Sequence, residues 1–389
     1  MPTKNRFAEL FAQIAEWRRD FHAHPELLYE LPRTAGIVAD KLRAFGCDEV
    51  VEGVGRSGVV GVIRGRATGS GKVIGLRADM DALPIVEATG VEHASTTPGK
   101  MHACGHDGHT AMLLGAAQYL AETRHFDGTV VLIFQPAEEG GAGGKAMVDD
   151  GLMERFAIQE VYALHNYPGL PVGQFAIRPG AVLASADEFE ITLTGKGGHA
   201  AMPHAAIDTT LVASHVVVAL QSIVSRNVDP LGSVVVTVGT FHTDSVASNV
   251  IAHQVKLGGT VRCLDPVLRD LAEERIKALV AHTAAAYGAQ ADITYKRGYP
   301  VTINTPENAA FAADIAEEVA GSVIRDVKPV MPAEDFAFML EARPGAYIFL
   351  GNGDSAMCHH PQYDFNDEAI PAGCSWFATL TERRMPLRD

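Results

Sequence analysis

Apolar residues recur with helical spacing over residues 5–21, where Phe7, Leu10, Phe11, Ile14, Trp17 and Phe21 fall near one face. Residues 31–45 read as a second helix, and residues 110–123, rich in Ala, Leu and Met, as a third. Residues 58–64 and 72–77 are short Val- and Ile-rich runs bounded by glycines, the pattern of strands. Residues 129–134 (Thr-Val-Val-Leu-Ile-Phe) are apolar almost without interruption, as in a strand buried on both faces, and 160–164 and 346–350 are similar. Strands alternating with helices predict an α/β layer with helices on both faces of the sheet.

The middle of the chain has a different rhythm. Residues 187–194 alternate Phe189, Ile191 and Leu193 with polar positions, the signature of a half-buried strand. A helix is predicted at 209–225, strands at 233–241 and 254–261, a long helix at 266–287 and a closing strand at 291–296. The order β-α-β-β-α-β is that of a ferredoxin-like split motif. The expected organisation is a discontinuous mixed-sheet α/β domain, 1–184 and 298–389, with an α+β domain inserted at 185–297. No apolar run is expected to span a membrane, because the longest candidate, around 211–220, is interrupted by Ser214 and His215.

Several predicted strands lead directly into side chains suited to metal chemistry. Residues 72–77 are followed by Asp79 and Asp81, 129–134 by Glu138 and Glu139, 160–164 by His165, and 346–350 by His359. In an open α/β sheet the crevice beyond the carboxyl ends of the strands is where ligands bind. Cys104 and His106 stand two apart in a glycine-flanked loop; a thiolate and an imidazole at this spacing can face one metal, or the sulfur can bridge two. The competing reading, a structural cysteine beside a capping histidine, is less favoured with Asp107 and His109 adjacent. Of two adjacent carboxylates, one can bind metal while the other moves protons. His22, His24, His102, His109, His204 and His360 are not excluded as ligands by spacing alone. Asp81 either orients a neighbouring group or caps the turn at Ala82-Leu83-Pro84. The glycines after Glu139 do not make a phosphate loop: Lys145 is misplaced, and Ala146 stands where a magnesium-holding Ser or Thr belongs.

Composition narrows the partners. The 389-residue chain carries a net charge of −15, which disfavours nucleic acid and anionic membrane surfaces. Its five cysteines, Cys47, Cys104, Cys263, Cys358 and Cys374, are odd in number and form no disulfide framework, which suits a reducing compartment. The N-terminal stretch, with Lys4, Arg6 and Glu9, lacks the apolar core of a signal peptide, so a cytoplasmic protein is expected.

Motifs in order along nearly the whole chain resemble a known family. They are His24-Pro25-Glu26-Leu27, Arg77-Ala78-Asp79-Met80-Asp81-Ala82-Leu83-Pro84, the segment 101–110 containing Cys104-Gly105-His106-Asp107-Gly108-His109, Gln135-Pro136-Ala137-Glu138-Glu139-Gly140-Gly141, Ala163-Leu164-His165-Asn166, Gly195-Lys196-Gly197-Gly198-His199-Ala200, Ser248-Asn249-Val250-Ile251, Gly259-Thr260-Val261-Arg262 and His359-His360-Pro361. The sequence resembles the hippurate hydrolase and N-acyl-L-amino-acid amidohydrolase branch of the aminoacylase–carboxypeptidase clan, which includes the auxin-conjugate hydrolases. That resemblance implies two divalent ions per subunit: Cys104 bridging, His106 and His165 completing one, Glu139 and His359 the other. It implies Glu138 as general base and acid and Asp81 as its orienting partner. Asp79 stands where other members of the clan carry a metal-binding histidine and is not expected to bind metal. A cysteine in place of the clan's bridging carboxylate favours zinc and leaves manganese, cobalt and nickel open. The inserted domain would be a lid and dimerisation domain, making a homodimer. His199 would cross to the other subunit's site to stabilise an oxyanion, and Asn249 and Arg262 would hold the substrate carboxylate. The implied substrate is a small N-acyl amino acid; a dipeptidase or N-acetyl-diaminopimelate deacetylase, or a metal-stapled binding protein without activity, are the alternatives.

Overall fold

The computed structural model describes residues 5–387; Lys4, which enters the reading of the N-terminal stretch, lies outside them. In chain order the regular elements are α1 (Asn5–Ala23), α2 (Pro32–Phe45), β1 (Glu49–Val54), β2 (Gly58–Arg64), β3 (Val73–Asp79), α3 (His106–Thr123), β4 (Thr129–Gln135), α4 (Gly143–Asp149), α5 (Leu152–Arg155), β5 (Glu160–Tyr167), β6 (Phe175–Ala176) and β7 (Gly180–Leu183). Then follow β8 (Asp187–Thr194), β9 (Gly198–His199), α6 (Thr209–Ser222), β10 (Val234–Thr243), β11 (Val250–Ile251), β12 (Gln254–Cys263), α7 (Pro266–Ala286), β13 (Gln290–Arg297) and β14 (Thr302–Asn304). The chain ends with α8 (Pro306–Ala320), β15 (Val323–Ile324), α9 (Ala337–Ala342), β16 (Gly345–Gly351) and α10 (Ile370–Arg384). They form two compact units. The first runs to Val182 and takes in Ile303–Lys328 and the chain from Asp335 onward; the second is Leu183–Thr302 with Pro329–Glu334.

The first unit is built on a mixed eight-stranded sheet in the order β1-β2-β4-β3-β5-β16-β6-β15. Its central strands β4, β3, β5 and β16 are mutually parallel, so their carboxyl ends open on one edge. β1, β2 and β4 pair antiparallel, and β6 runs antiparallel to β16. Helices cover both faces. A Cβ on Gly58 would meet Met147 of α4, while one on Gly61 would meet Leu42 of α2, and strand positions three apart point to opposite faces. β4 and β16 are buried along almost their whole length, which explains their unbroken apolar sequence. The core joins α1, α3 and α10 to the sheet through Ile14, Leu113, Leu114, Trp376 and Phe377, all fully buried; each such side chain contributes about 1.5–3 kcal/mol.

Among the element ends that differ from the sequence reading, three move a residue of the strand-end cluster. β3 extends through Asp79, because Gln135 of β4 continues its ladder. β5 extends through His165 to Tyr167, paired with Phe349, Leu350 and Gly351 of β16. α3 begins at His106, so that residue opens a helix instead of lying in a loop. β1, α8 and α10 were not named from the sequence.

The second unit is a four-stranded antiparallel sheet in the order β10-β12-β8-β13, the strand order of a ferredoxin-like fold with α6 and α7 as its helices. Asp208 and Asp265 cap α6 and α7 by accepting from the backbone amides two and three residues on. The inner faces meet in a separate core that includes Phe189, Ile191, Val216, Leu257, Ile276 and Val280. At its base Asp187 is fully buried, bound by Arg269 Nε at 2.9 Å, the Tyr295 hydroxyl at 2.9 Å and the Gly298 amide at 3.1 Å. The stretch Thr209–Asn227 is long and apolar enough to cross a membrane by length and composition, because Ser214 and His215 do not offset its many valines and leucines. Val212, Ala213, Val216 and Leu220 on it are buried in the second unit's own core.

Candidate metal centre

All the chemistry predicted at strand ends in the first unit gathers at the carboxyl edge of β3, β4, β5 and β16. The arrangement begins with Asp81, which follows β3 and is buried. Its two carboxylate oxygens accept from consecutive amides, Glu138 N at 2.9 Å and Glu139 N at 3.2 Å. Its main-chain carbonyl accepts from His106 Nδ1 at 2.8 Å. One residue therefore fixes both the glutamate pair and a histidine. The Glu26 carbonyl in turn accepts from the Ala82 amide, and the Glu26 carboxylate caps α2 through the Arg33 and Thr34 amides, which is the work of the His24-Pro25-Glu26-Leu27 segment. Ala137, just before the glutamates, is buried with φ +53. That region costs a non-glycine residue about 1–2 kcal/mol, and such strain collects at functional sites.

The histidines divide by what their ring nitrogens already do. His106 donates from Nδ1 to the Asp81 carbonyl, and His165 from Nδ1 to the Asn166 carbonyl at 2.7 Å. This is the orientation that outer partners give to metal-binding histidines, leaving the Nε2 lone pair aimed inward. His165 Nε2 lies 3.5 Å from Cys104 Sγ. His359 Nε2 lies 3.4 Å from Glu139 Oε1, and His106 Nε2 lies 3.9 Å from the same oxygen. On one tetrahedral ion, a sulfur and a nitrogen ligand sit about 3.6 Å apart and a nitrogen and an oxygen about 3.4 Å apart, given ordinary zinc–ligand lengths. The first two separations match edges of such a polyhedron. His106 Nε2 and Glu139 Oε1 are also buried without a well-formed hydrogen bond, which is costly unless something binds them.

His109, His360 and His24 are committed elsewhere. His109 pairs through Nδ1 with Asp79 at 2.6 Å and accepts the Asn166 amide at Nε2, 3.0 Å. Asp79, His106, His109 and His165 do lie close enough together to suggest a cation site. Yet both nitrogens of His109 are used, and the Asp79 carboxylate is taken by His109 and by Arg77 at 2.7 Å. Asp79 is thus a structural anion. His360 Nδ1 accepts the Gln362 amide in a turn, and His24 bonds the carbonyl of Asp20. His102 is buried with neither ring nitrogen hydrogen-bonded.

Electrostatics favours a cation here. Burial works against charging His106, but Asp79, Asp81 and Glu139 around it outweigh burial and push it up to about 10. Contact with the Cys358 thiol, burial and the nearby Glu139 and Glu138 carboxylates raise Cys104 well above its ordinary value. Burial, with His109 alongside, keeps His165 neutral. A divalent ion would supply the positive charge that the carboxylates now draw from a proton on His106, and would release the Cys104 proton. The donor set fits a metal on geometry and on charge.

Several supports were not named by the sequence reading. Asn166 donates from Nδ2 to the Cys104 carbonyl at 2.6 Å and accepts the Tyr363 hydroxyl at 2.7 Å. Gly105, with φ +88, lets the Cys104 loop pass: a Cβ there would lie 2.2 Å from Asn166 Nδ2 and 2.6 Å from the Tyr363 hydroxyl. Arg77 bonds Gln135 and Asp335, and Asp335 accepts the Gly144 amide, closing the base of the glutamate loop. Behind α3, His22 meets Asp107 at 2.9 Å and Glu87 at 3.2 Å. Asn166 and the adjacent His165 stand in a quoted motif, so spacing could have marked it; Tyr363 and Asp335 carry no local signal. His199, Asn249 and Arg262 belong to the second unit, where His199 and Asn249 are exposed and Arg262 is half-buried, bonded to Thr260 and to the Val261 carbonyl.

Comparison with known proteins agrees with this chemistry. The family description "Peptidase family M20/M25/M40" matches residues 75–383. The chain is 42% identical over 374 residues to a hippurate hydrolase of Campylobacter jejuni, covering 96% of each. It is 41% identical to the IAA-amino acid hydrolase ILR1-like 5 of Arabidopsis thaliana, covering 96% of this chain and 87% of the relative. Its fold matches the solved structure of the Bacillus subtilis YXEP protein, described as a dinuclear metal binding peptidase, with a TM-score of 0.86 and 31% identity, covering 97% and 99% of the two chains.

Two outcomes follow from this geometry. Gly105→Ala should lower metal uptake sharply and destabilise the protein by about 2 kcal/mol or more, through the left-handed backbone and the clash with Asn166; metal analysis and thermal unfolding read both. His22 is opposed by burial but pushed up to about 9 from 6.5 by Asp107 and Glu87. Its contribution is complete below 6.5 and lost as pH rises through about 9. Glu87, opposed by burial but lowered to about 2 by His22 and Thr89, contributes above its ordinary 4.5 and loses that as pH falls through about 2. Stability should therefore plateau between about 4.5 and 6.5 and decline toward pH 9. His22→Gln should remove the alkaline decline in a series of unfolding curves.

Proposed function

The chain belongs to peptidase family M20/M25/M40, and we propose that it hydrolyses the amide bond of N-acyl amino acids, giving a carboxylic acid and a free amino acid. It is a metal-dependent amidohydrolase acting on a small-molecule substrate. The observation that carries the reading is the pair Glu138 and Glu139, clamped by Asp81 beside Cys104, His106, His165 and His359. A closed structural metal site has no use for a second carboxylate. The similarity to a hippurate hydrolase and to an IAA-amino acid hydrolase supports the N-acyl amino acid class.

In this reading Cys104, His106, His165, Glu139 and His359 would hold two divalent ions. Zinc is the metal that thiolate favours, with manganese, cobalt or nickel as the other candidates. When bound, the ions polarise the acyl carbonyl and make a water acidic near neutral pH. Glu138 takes a proton from the attacking water. The water oxygen bonds to the acyl carbon, and Glu138 then delivers the proton to the departing nitrogen as the C–N bond breaks. Asp81 keeps Glu138 in reach by holding its amide. His199, supplied by a second copy of the chain, would donate to the developing oxyanion, and Asn249 and Arg262 would bind the substrate carboxylate.

The second unit would serve as lid and dimerisation domain. Its α6 exposes Leu211 at 49% and Val218 at 71%, and β10 is an edge strand carrying the exposed Val235 and Phe241. An open edge beside apolar side chains suits strand-to-strand pairing with a second copy. The cysteines, without a pairing framework, fit a cytoplasmic setting.

Glu138→Gln should keep near-normal metal content while turnover of hippurate and N-acetyl amino acids falls by about 10²–10⁴-fold or more. Full residual hydrolysis would sink the assignment, and a wild-type preference for dipeptides over N-acyl amino acids would redirect the substrate class. Val218→Glu should convert a dimer to monomer in sedimentation velocity; a species distribution identical to wild type would count against this interface.

A further inference from the structure

We propose that Asn166 is a positioning residue of the metal centre, with its side-chain amide locked in place by the Tyr363 hydroxyl. The inference rests on the reading of Cys104 and His165 as metal ligands. Asn166 is buried, and each of its hydrogen-bonding groups is engaged. Its carbonyl accepts from His165 Nδ1 at 2.7 Å, and its Nδ2 donates to the Cys104 carbonyl at 2.6 Å. Its Oδ1 accepts the Tyr363 hydroxyl at 2.7 Å. Its backbone amide lies 3.0 Å, and its Nδ2 3.1 Å, from His109 Nε2. One residue thus orients the imidazole of one donor and the backbone of another, and the Nε2 and Sγ of those two donors stand 3.5 Å apart. With no group left over, Asn166 acts through these neighbours and is not itself a ligand.

Elementary hydrogen-bond chemistry fixes which way the amide faces. A carbonyl can only accept, so the Asn166 side-chain nitrogen must face Cys104 and its oxygen must face Tyr363. The Tyr363 hydroxyl therefore donates, and turning the amide over would set oxygen against oxygen at Cys104 and leave a buried donor without a partner. His109 Nε2 faces two N–H groups, so its own proton sits on Nδ1, against Asp79 at 2.6 Å. On the other side of the thiol, the His359 amide donates to the Ala103 carbonyl at 2.7 Å, so the peptide groups before and after Cys104 are both pinned. Tyr363 lies in the segment after His359, and its hydroxyl ties that segment to the Cys104 loop through Asn166. Outer partners that hold metal-binding groups in this way raise metal affinity without touching the ion.

The test is zinc affinity from chelator competition, with the near-ultraviolet sulfur-to-cobalt absorption of cobalt-loaded protein as a second readout. Asn166→Asp keeps the shape of the side chain but sets an oxygen against the Cys104 carbonyl, and Tyr363→Phe removes only the hydroxyl. Both should bind zinc about tenfold or more weakly and shift the cobalt band. The control is Tyr162→Phe, on the same strand as His165, where a buried hydroxyl donates to Glu160 at 2.9 Å and accepts from Asn308 at 2.8 Å. It should unfold more readily than wild type yet keep wild-type zinc affinity and spectrum. Wild-type affinity and spectrum in Tyr363→Phe would overturn the inference, and that variant decides if Asn166→Asp does not fold. An equal loss of affinity in Tyr162→Phe would also overturn it, by showing a general loosening of the sheet. A wild-type protein with no sulfur-to-cobalt band would instead overturn the Cys104 reading itself.

Discussion

The cluster at the strand ends depends on one buried carboxylate. Asp81 spends its two oxygens on the amides of Glu138 and Glu139 and its carbonyl on His106. A buried carboxylate without partners would cost several kcal/mol, so the fold tolerates Asp81 only where two amides converge on it. That requirement fixes the path of the chain after β4, including the left-handed turn at Ala137. Glu138, Glu139 and His106 are thereby held by the same residue, and none can shift without disturbing the others.

Around Asp81 the fold repeats one device: polar groups are fixed by backbone atoms or by charges deeper in the protein, so that the inward-facing atoms remain unspent. His106 and His165 are both held through Nδ1 by main-chain carbonyls. Asp79 looks like a ligand by position but is neutralised by Arg77 and His109, which makes it part of the frame. Asn166 links the Cys104 carbonyl, His109 and the Tyr363 hydroxyl, so the loop carrying the thiol and the segment after His359 share a single anchor. Buried polar atoms without a partner are few in native proteins, and His106 Nε2 and Glu139 Oε1 are two of them here.

Much of this was legible in the sequence, for definite reasons. Continuous apolar runs such as 129–134 mark strands buried on both faces, and their ends pointed to Glu138, His165 and His359. The alternation of Phe189, Ile191 and Leu193 marked the separate α+β unit. Motifs of adjacent functional residues survive as local patterns, which is why Cys104 and His106 stood out. What escaped was non-local. Asp335 and Tyr363 matter through partners nearly two hundred or more residues away, Gln135 and Asn166, and no local spacing records such a contact. The ends of β3, β5 and α3 were misjudged because neighbouring strands and the metal loop, not intrinsic preference, decide where those elements stop.

The position of β16 has a kinetic meaning. This strand is the last of the sheet in sequence, yet it lies between β5 and β6 in the interior of the sheet. During synthesis the edge of β5 must stay unpaired while almost the entire remaining chain emerges, and His359 cannot reach Glu139 before that gap is filled. The four strands of the antiparallel sheet lie between, from Asp187 to Arg297, so that sheet is complete in the chain before β16 emerges. The carboxyl edge that gathers Glu139 and His359 is therefore among the last parts of the molecule to form, and an incompletely made chain would present an open parallel strand edge prone to pairing with its neighbours.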